Sequence, residues 1–348
     1  MLSAKTLRYF SLLVVVLTLG GALALPHLFH SQYYMHIMVL MWIYLILAVS
    51  FNLSAGSLGL FSMGFSAFFG LSGYATGLLT AKEGWSVGLG LLIGVLICAV
   101  ASWVMGVVAL RLKGPYYILI TIASLGIVGG LASTLYNLTG GSSGLTNIPA
   151  PEIPMIKLGG FDLGWGNVRF DNPINYYYFA LFFVVVTYIL VYWLTNSRQG
   201  RAFTAVRDNE DLANSLGINP FRFRMIGSIA SGVLAALSGW LYAHYVHIVD
   251  PSIFGFSIIF DVMFMVMLGG MGTLPGPAFG AVLVVFIPEI LRMAQAWRMA
   301  SLGLFLLVVV IFIPQGLYTT LWQQIRKLQQ KKVLATASPP AADASSKG

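Results

Sequence analysis

The chain alternates long apolar runs with short polar connections. A helix of about 20 apolar residues crosses the roughly 30 Å hydrocarbon layer of a membrane. Inside lipid each backbone amide must be satisfied within its own segment, so the runs are read as helices. The alternating ten-residue segments of a membrane barrel are absent from the sequence. The pattern predicts ten spans, near 9–26, 34–53, 57–79, 88–110, 115–136, 176–195, 224–246, 256–271, 276–292 and 299–319. Two are short or interrupted by glycine. The expected fold is an all-α polytopic membrane protein with some helices broken or re-entrant.

Three regions follow from the same pattern. Residues 1–33 form an N-terminal apolar helix and a short loop, 34–322 the transmembrane domain, and 323–348 a basic tail rich in Ala, Ser and Pro that is expected to be disordered. Lys5 and Arg8 precede the first run, and Ala22-Leu23-Ala24 resembles a cleavage site. That run is either a signal peptide or a retained anchor; the remaining topology is the same in both cases.

Composition agrees with a membrane protein. Of 348 residues, 58% are hydrophobic and 9% charged, where soluble chains carry about 25% charged residues. Mean hydropathy is +0.85. The net charge of +8 does not imply nucleic acid, because the basic residues sit in short loops between apolar runs. With the N-terminus inside and ten alternating spans, fourteen of the 19 basic residues fall on the cytoplasmic side. Lys82, Lys157, Arg169, Arg292 and Arg298 fall outside. This asymmetry places both termini in the cytoplasm. The lone Cys98 excludes an intramolecular disulfide. His27 and His30, and His244 and His247, have HxxH spacing without clustered carboxylates, and are read as interfacial histidines rather than metal ligands.

Two loops stand out. Residues 137–175, rich in Gly and Pro, form a long outer segment. It is either a surface for an extracytoplasmic partner or a connector. Residues 196–223 form the most polar inner segment, where Arg198, Arg201, Arg207 and Arg222, with the adjoining Arg224, surround Asp208, Glu210 and Asp211. A short helix is expected from Val206 to Leu216, with Gly217 at its C-cap and Asn219-Pro220 ending the run. It is either a docking helix or a solvated charged loop.

The chemistry of the chain lies in its glycines and few polar intramembrane residues. There is no GxxxxGK[ST] loop and no Gly-Lys dipeptide, so ATP, if used, is bound by a separate subunit. Asn52 to Gly77 carries Gly56, Gly59, Gly64, Gly70, Gly73 and Gly77 among Ser54, Ser57, Ser62 and Ser66. These support tight helix packing, a broken helix lining a solute path, or both. Gly269, Gly270, Gly272, Thr273, Pro275, Gly276 and Pro277 cannot continue a regular helix and form a tight turn or re-entrant tip. Asp261 lies in an apolar run, where an acid faces a cavity or partner unless it sits near the interface.

At these motifs the sequence resembles the LivM-type permeases of branched-chain amino-acid ABC importers. The resemblance starts at Phe51-Asn52-Leu53 and Gly56-Ser57-Leu58-Gly59-Leu60-Phe61-Ser62-Met63-Gly64. It continues through Arg111-Leu112-Lys113-Gly114-Pro115, Thr139-Gly140-Gly141-Ser142-Ser143-Gly144-Leu145 and Ser197-Arg198-Gln199-Gly200-Arg201-Ala202. It closes with Arg207-Asp208-Asn209-Glu210, Gly217-Ile218-Asn219, Gly269-Gly270-Met271-Gly272-Thr273 and Gly276-Pro277, and covers about residues 34–320. The resemblance implies a bacterial inner-membrane importer with three kinds of part. A periplasmic binding protein delivers branched-chain amino acids, two homologous permeases form the path, and two ABC ATPase subunits bind ATP and drive it. It assigns coupling to the ATPases to Arg207, Asp208, Asn209, Glu210, Asp211 and Gly217. Asn52, Gly56, Gly59, Ser62, Gly64, Asp261, Gly269, Gly270, Gly272 and Thr273 are the expected translocation-path residues. Asp261 stands where a glutamate is frequent in the family and Thr273 where serine is frequent, which weakens inference about selectivity. Permeases resembling urea and short-chain amide transporters belong to the same family. An ion-coupled transporter working alone would have only Asp261 for coupling, and a membrane enzyme would need a catalytic constellation that the sequence lacks.

Overall fold

The computed structural model describes residues 31–112, 114–153, 168–169 and 172–290, together with Pro26, Gly303, Gly316, Tyr318 and Thr320. Apart from those isolated residues, the expected spans at 9–26 and 299–319, the tail 323–348 and the middle of the 137–175 loop lie outside the described residues. So do Lys113, Arg292 and Arg298.

The fold is helical. Helix α1, Gln32–Asn52, continues through a π-helical turn, Leu53–Ser57. After an irregular stretch come α2, Ser66–Gly77, and a second π-helical turn, Leu78–Lys82. Helices α3, Val87–Ala109, and α4, Pro115–Thr134, follow. A one-turn helix α5, Tyr136–Thr139, and the short antiparallel pair β1, Glu152–Ile153, and β2, Val168–Arg169, lie in the 137–175 loop. Then come α6, Pro173–Asn196, α7, Arg198–Asp208, α8, Glu210–Ser215, and α9, Pro220–Val246. Helices α10, Phe256–Gly269, and α11, Gly276–Ile290, form the last described hairpin. Among the described residues five helices are long and apolar enough to cross a membrane: α1 with its π-turn, α3, α4, α6 and α9; α10 and α11 are shorter apolar helices.

The span expected at 57–79 is the main departure from the sequence reading. Its first part, Leu58 to Phe65, is irregular, and only twelve residues form the α-helix α2. Gly59 adopts φ +72°, which L side chains rarely take. The backbone of the break is satisfied locally. The Leu60 N–H donates to Ser54 O at 3.0 Å, Ser54 Oγ donates to Leu60 O at 3.1 Å, and the Met63 N–H donates to Thr121 Oγ1 at 3.2 Å.

Helices α1 and α9 form the centre. From Leu45 to Leu53 every residue of α1 is buried, the property of a helix apolar all round. Helix α9 packs on α1, α2 and α3, while α3, α4 and α6 bury less than a third of their apolar windows and offer Leu92, Leu96, Trp103, Ile127 and Phe182 outward. Exposed Trp85, Tyr33 and Tyr34 stand at one end of the bundle, and Trp193, Tyr192 and Tyr116 at the end that carries Arg198, Arg207 and Arg222. Such aromatic belts mark the two membrane–water interfaces.

Small residues set the spacing. On α3 the residues buried between its first and last turns are Gly90, Gly94, Cys98, Ser102 and Gly106, one every four residues. A Cβ on Gly94 would lie 2.8 Å from Ser72 Oγ, and one on Gly239 would overlap Phe69 O. Buried hydroxyls tie the same crossings. Ser72 Oγ donates to Ala236 O, Ser238 Oγ to Ile43 O, and Tyr176 OH to Leu241 O, each at 2.7 Å. Hydrogen bonds between helices in lipid are worth about 1 kcal/mol.

Substituting Gly239→Val should therefore lower stability by at least about 1–3 kcal/mol, the cost of overpacking. Gly88→Ala, where an added Cβ meets nothing within 4 Å, should stay within about 0.5 kcal/mol. Thermal unfolding of both variants in detergent checks this pair.

Candidate functional site

The irregular segment after α1 meets two other elements at the arginine-bearing end of the bundle. Asn52, in the last turn of α1, uses both ends of its amide. Its Oδ1 accepts from the Gly272 N–H at 2.8 Å, and its Nδ2 donates to Thr273 O at 2.8 Å. The turn between α10 and α11 is thereby fastened to α1. Gly272 has φ +78° and Gly270 φ +119°, so the turn needs glycine at both positions. Gly56 leaves room for this approach: a Cβ there would lie 2.5 Å from both Gly272 N and Asn52 Oδ1.

The third element is α7. The Arg207 Nη1 donates to Gly56 O at 2.6 Å, and its Nε and Nη2 reach Asp208 Oδ1 at 3.0 and 2.9 Å. Gly59 packs on the arginine's aliphatic stem. Ser197 starts α7 by accepting from the Gln199 and Gly200 N–H groups. Gly200 then fits against Thr195 O, where a Cβ would clash.

One expectation for this loop needs correction. The single helix expected from Val206 to Leu216 is two helices, broken at Asn209, whose φ of −156° and ψ of 106° are extended. Asn209 Oδ1 accepts from the Leu212 N–H at 2.9 Å and so caps α8. Asparagine followed by Glu210-Asp211 is a helix-start signal, and that local preference outweighs continuation. Gly217, φ +81°, ends α8 as expected, with the Ile218 N–H on Ala213 O at 2.9 Å. Glu210 Oε2 pairs with Arg224 Nη1 of α9 at 3.1 Å. Leu212 and Leu216, one turn apart, are 58% and 73% exposed on this otherwise polar helix.

The remaining predicted residues separate. Ser62 lines a cavity of about 10 Å³ with Ser54, Tyr117, Ser228, Ser231 and three apolar neighbours, room for about one water. Gly64 serves packing, facing Thr121 O of α4. Gly269 and Gly270 approach Gly276 and Gly316. Asp261 lies apart from the knot, half-buried in the second turn of α10. Of the histidines expected at the interface, His244 and His247 stand at the opposite end of the bundle, where buried His244 bonds Thr76 Oγ1 and Pro149 O and His247 bonds Ile148 O; His27 and His30 lie outside the described residues. Of the lining residues the sequence reading names Ser54 and Ser62 in the glycine–serine cluster but does not single out Ser228 and Ser231 of α9 or Tyr117 of α4 as site residues. Leu212 and Leu216 do carry a signal, as apolar residues four apart in a charged segment.

These features define a polytopic helical membrane protein whose core helix is broken and clasped from one face. The branched-chain amino acid transport system permease component family matches residues 33–313. The chain is 30% identical to the high-affinity branched-chain amino acid transport permease LivM of Escherichia coli, over 91% of this chain and 76% of that protein. LivM of Salmonella typhimurium is 31% identical over 79% and 67%. The fructose import permease FrcC of Rhizobium meliloti is 26% identical over 69% and 66%. No solved structure matches. The chain belongs to the branched-chain amino acid transport permease family.

Asn52→Ala should lower stability by about 2–4 kcal/mol, because it removes two hydrogen bonds and strands a donor and an acceptor. Gly272→Ala should cost about 1–2 kcal/mol through its left-handed backbone. Denaturation of each variant in detergent, compared with Gly88→Ala, tests these values.

Proposed function

We propose that this chain is a membrane-spanning subunit of an ATP-driven importer for branched-chain amino acids: leucine, isoleucine and valine. A second homologous permease completes the path, two ABC ATPase subunits dock on the cytoplasmic side, and a periplasmic binding protein delivers the solute. The observation that carries this reading is the α7–α8 pair. It presents Leu212 and Leu216 to solvent at the arginine-bearing end of a bundle whose family is that of transport permeases. Exposed apolar side chains on a short charged helix suit a groove on a partner, and the positive-inside rule puts this end in the cytoplasm. ATP-driven closure of the ATPases would then push α7 and α8 and tilt the spans.

The expected path residues divide into two roles in this reading. Asn52, Gly56, Gly59, Gly269, Gly270, Gly272 and Thr273 frame the path, because their backbone and amide groups are engaged with one another or with Arg207. Ser62 in its hydroxyl-lined cavity and Asp261 on α10 are the polar positions left to meet solute. A second reading of the cargo, another small polar solute such as a sugar, is favoured by the similarity to the fructose permease.

Purification of the wild-type complex should bring down two ATPases and a second permease, and the reconstituted complex should take up labelled leucine only with ATP. Uphill transport by this chain alone, or fructose uptake without leucine uptake, would refute the respective part of the proposal. Leu212→Asp combined with Leu216→Asp should release the ATPases while the unfolding temperature of the permease stays unchanged. Full retention of the ATPases would place the docking surface elsewhere.

A further inference from the structure

Arg207 reaches a segment 151 residues away in the chain at Gly56, and four residues before Gly56, Asn52 reaches a segment 220 residues away at Gly272. A guanidinium is planar and presents its donors in a fixed fork. Asp208 engages Nε and Nη2 through one carboxylate oxygen, which fixes that plane and aims Nη1 at Gly56 O. Gly56 lies at the end of the Gln32–Ser57 helical run, where carbonyls lack an intrahelical partner and carry the negative end of the helix dipole. The same turn of backbone is locked through Asn52 to Gly272 and Thr273. A Cβ on Gly272 would stand 3.5 Å from the Arg207 Nη1, so the guanidinium bonds one clasped segment and lies close to the other.

We propose that Arg207 is a positioning residue, a latch that transmits displacement of α7 to the broken end of α1 and, through Asn52, to the turn between α10 and α11. The proposal rests on the reading that ATPases act on α7–α8, and it separates two jobs within that loop. Leu212 and Leu216 face the partner. Arg207 faces the bundle, with its three nitrogens committed to Asp208 and Gly56. A movement of α7 therefore shifts α1, α10 and α11 together instead of being absorbed by a loose surface loop. Both clasped segments need glycine, at Gly56 and Gly272, because a side chain on either would force the elements apart or strain the turn.

The test uses the intact importer in proteoliposomes, with Arg207→Ala and Arg207→Lys. Arg207→Ala should keep the ATPases bound and hydrolysing ATP. Its maximal uptake rate should fall about tenfold, the lower end for one hydrogen bond to a charged group, with the half-saturating solute concentration unchanged. Arg207→Lys, which can still reach Gly56 O but cannot grip Asp208 in the same way, should be intermediate. Hydrogen exchange on the full-length permease in detergent is the second arm. Arg207→Ala should speed exchange in residues 54–58 and 270–274 while the middle of α9 stays protected. Uptake above half of wild type, loss of the ATPases on Arg207→Ala, or unchanged exchange in both segments would each overturn the latch. If the wild-type permease binds no ATPase, the functional reading fails, and the exchange arm still decides whether Arg207 holds the two segments.

Discussion

A helix that stops within a membrane protein leaves carbonyls and amides that lipid cannot satisfy, and this constraint shapes the bundle around residues 52–65. The irregular stretch after α1 is tolerated because several of its groups find partners, within the stretch or in other elements. Ser54 bonds Leu60, Thr121 takes the Met63 amide, Arg207 takes the Gly56 carbonyl, and Asn52 holds the turn at Gly272 and Thr273. Unwound backbone at membrane depth persists only under such cover. The break is thus a junction of α1, α4, α7 and the α10–α11 turn.

Close packing makes that junction possible. Helix association in lipid lacks the hydrophobic drive available in water, so it depends on contact and hydrogen bonding. The four-residue stripe on α3, the Gly239 contact with Phe69 and the hydroxyls of Ser72 and Ser238 bring α1, α2, α3 and α9 together. With the centre held in this way, α7 and α8 rest on closely packed helices. At the opposite end, His244 and His247 pin residues 148–149 to the end of α9, and Leu145 pairs with Val249. The beginning of the long 137–175 loop is therefore part of the bundle.

The two sides of the α7–α8 pair differ in chemistry. One side is fixed to the bundle through Arg207 and through Glu210 with Arg224. The other exposes leucines. The family match supplies the transport context, and the geometry ties the α7–α8 pair to the end of α1 and to α9.

The sequence by itself determined the helical membrane class, the apolar runs of α1, α3, α4, α6 and α9, the turn at Gly269–Gly276 and the family, while the break near Gly59 was one of two readings that its glycines allowed. These are local properties: run length, glycine and proline content, and ordered short motifs. The four-residue repeat on α3 and the cap at Asn209 were also legible in principle, since both are short-range patterns. Tertiary structure alone decided which glycines pack and which bend, because Gly64 and Gly59 look alike in sequence, yet Gly59 takes φ +72° beside Arg207 and Gly64 packs on Thr121. It also decided that residues expected to divide between coupling and solute path meet in one knot. Asn52 and Gly272 are far apart in the chain, and a hydrogen bond across that separation leaves no periodic or compositional trace. It exists because two helix ends and one turn each had backbone groups to satisfy at the same depth.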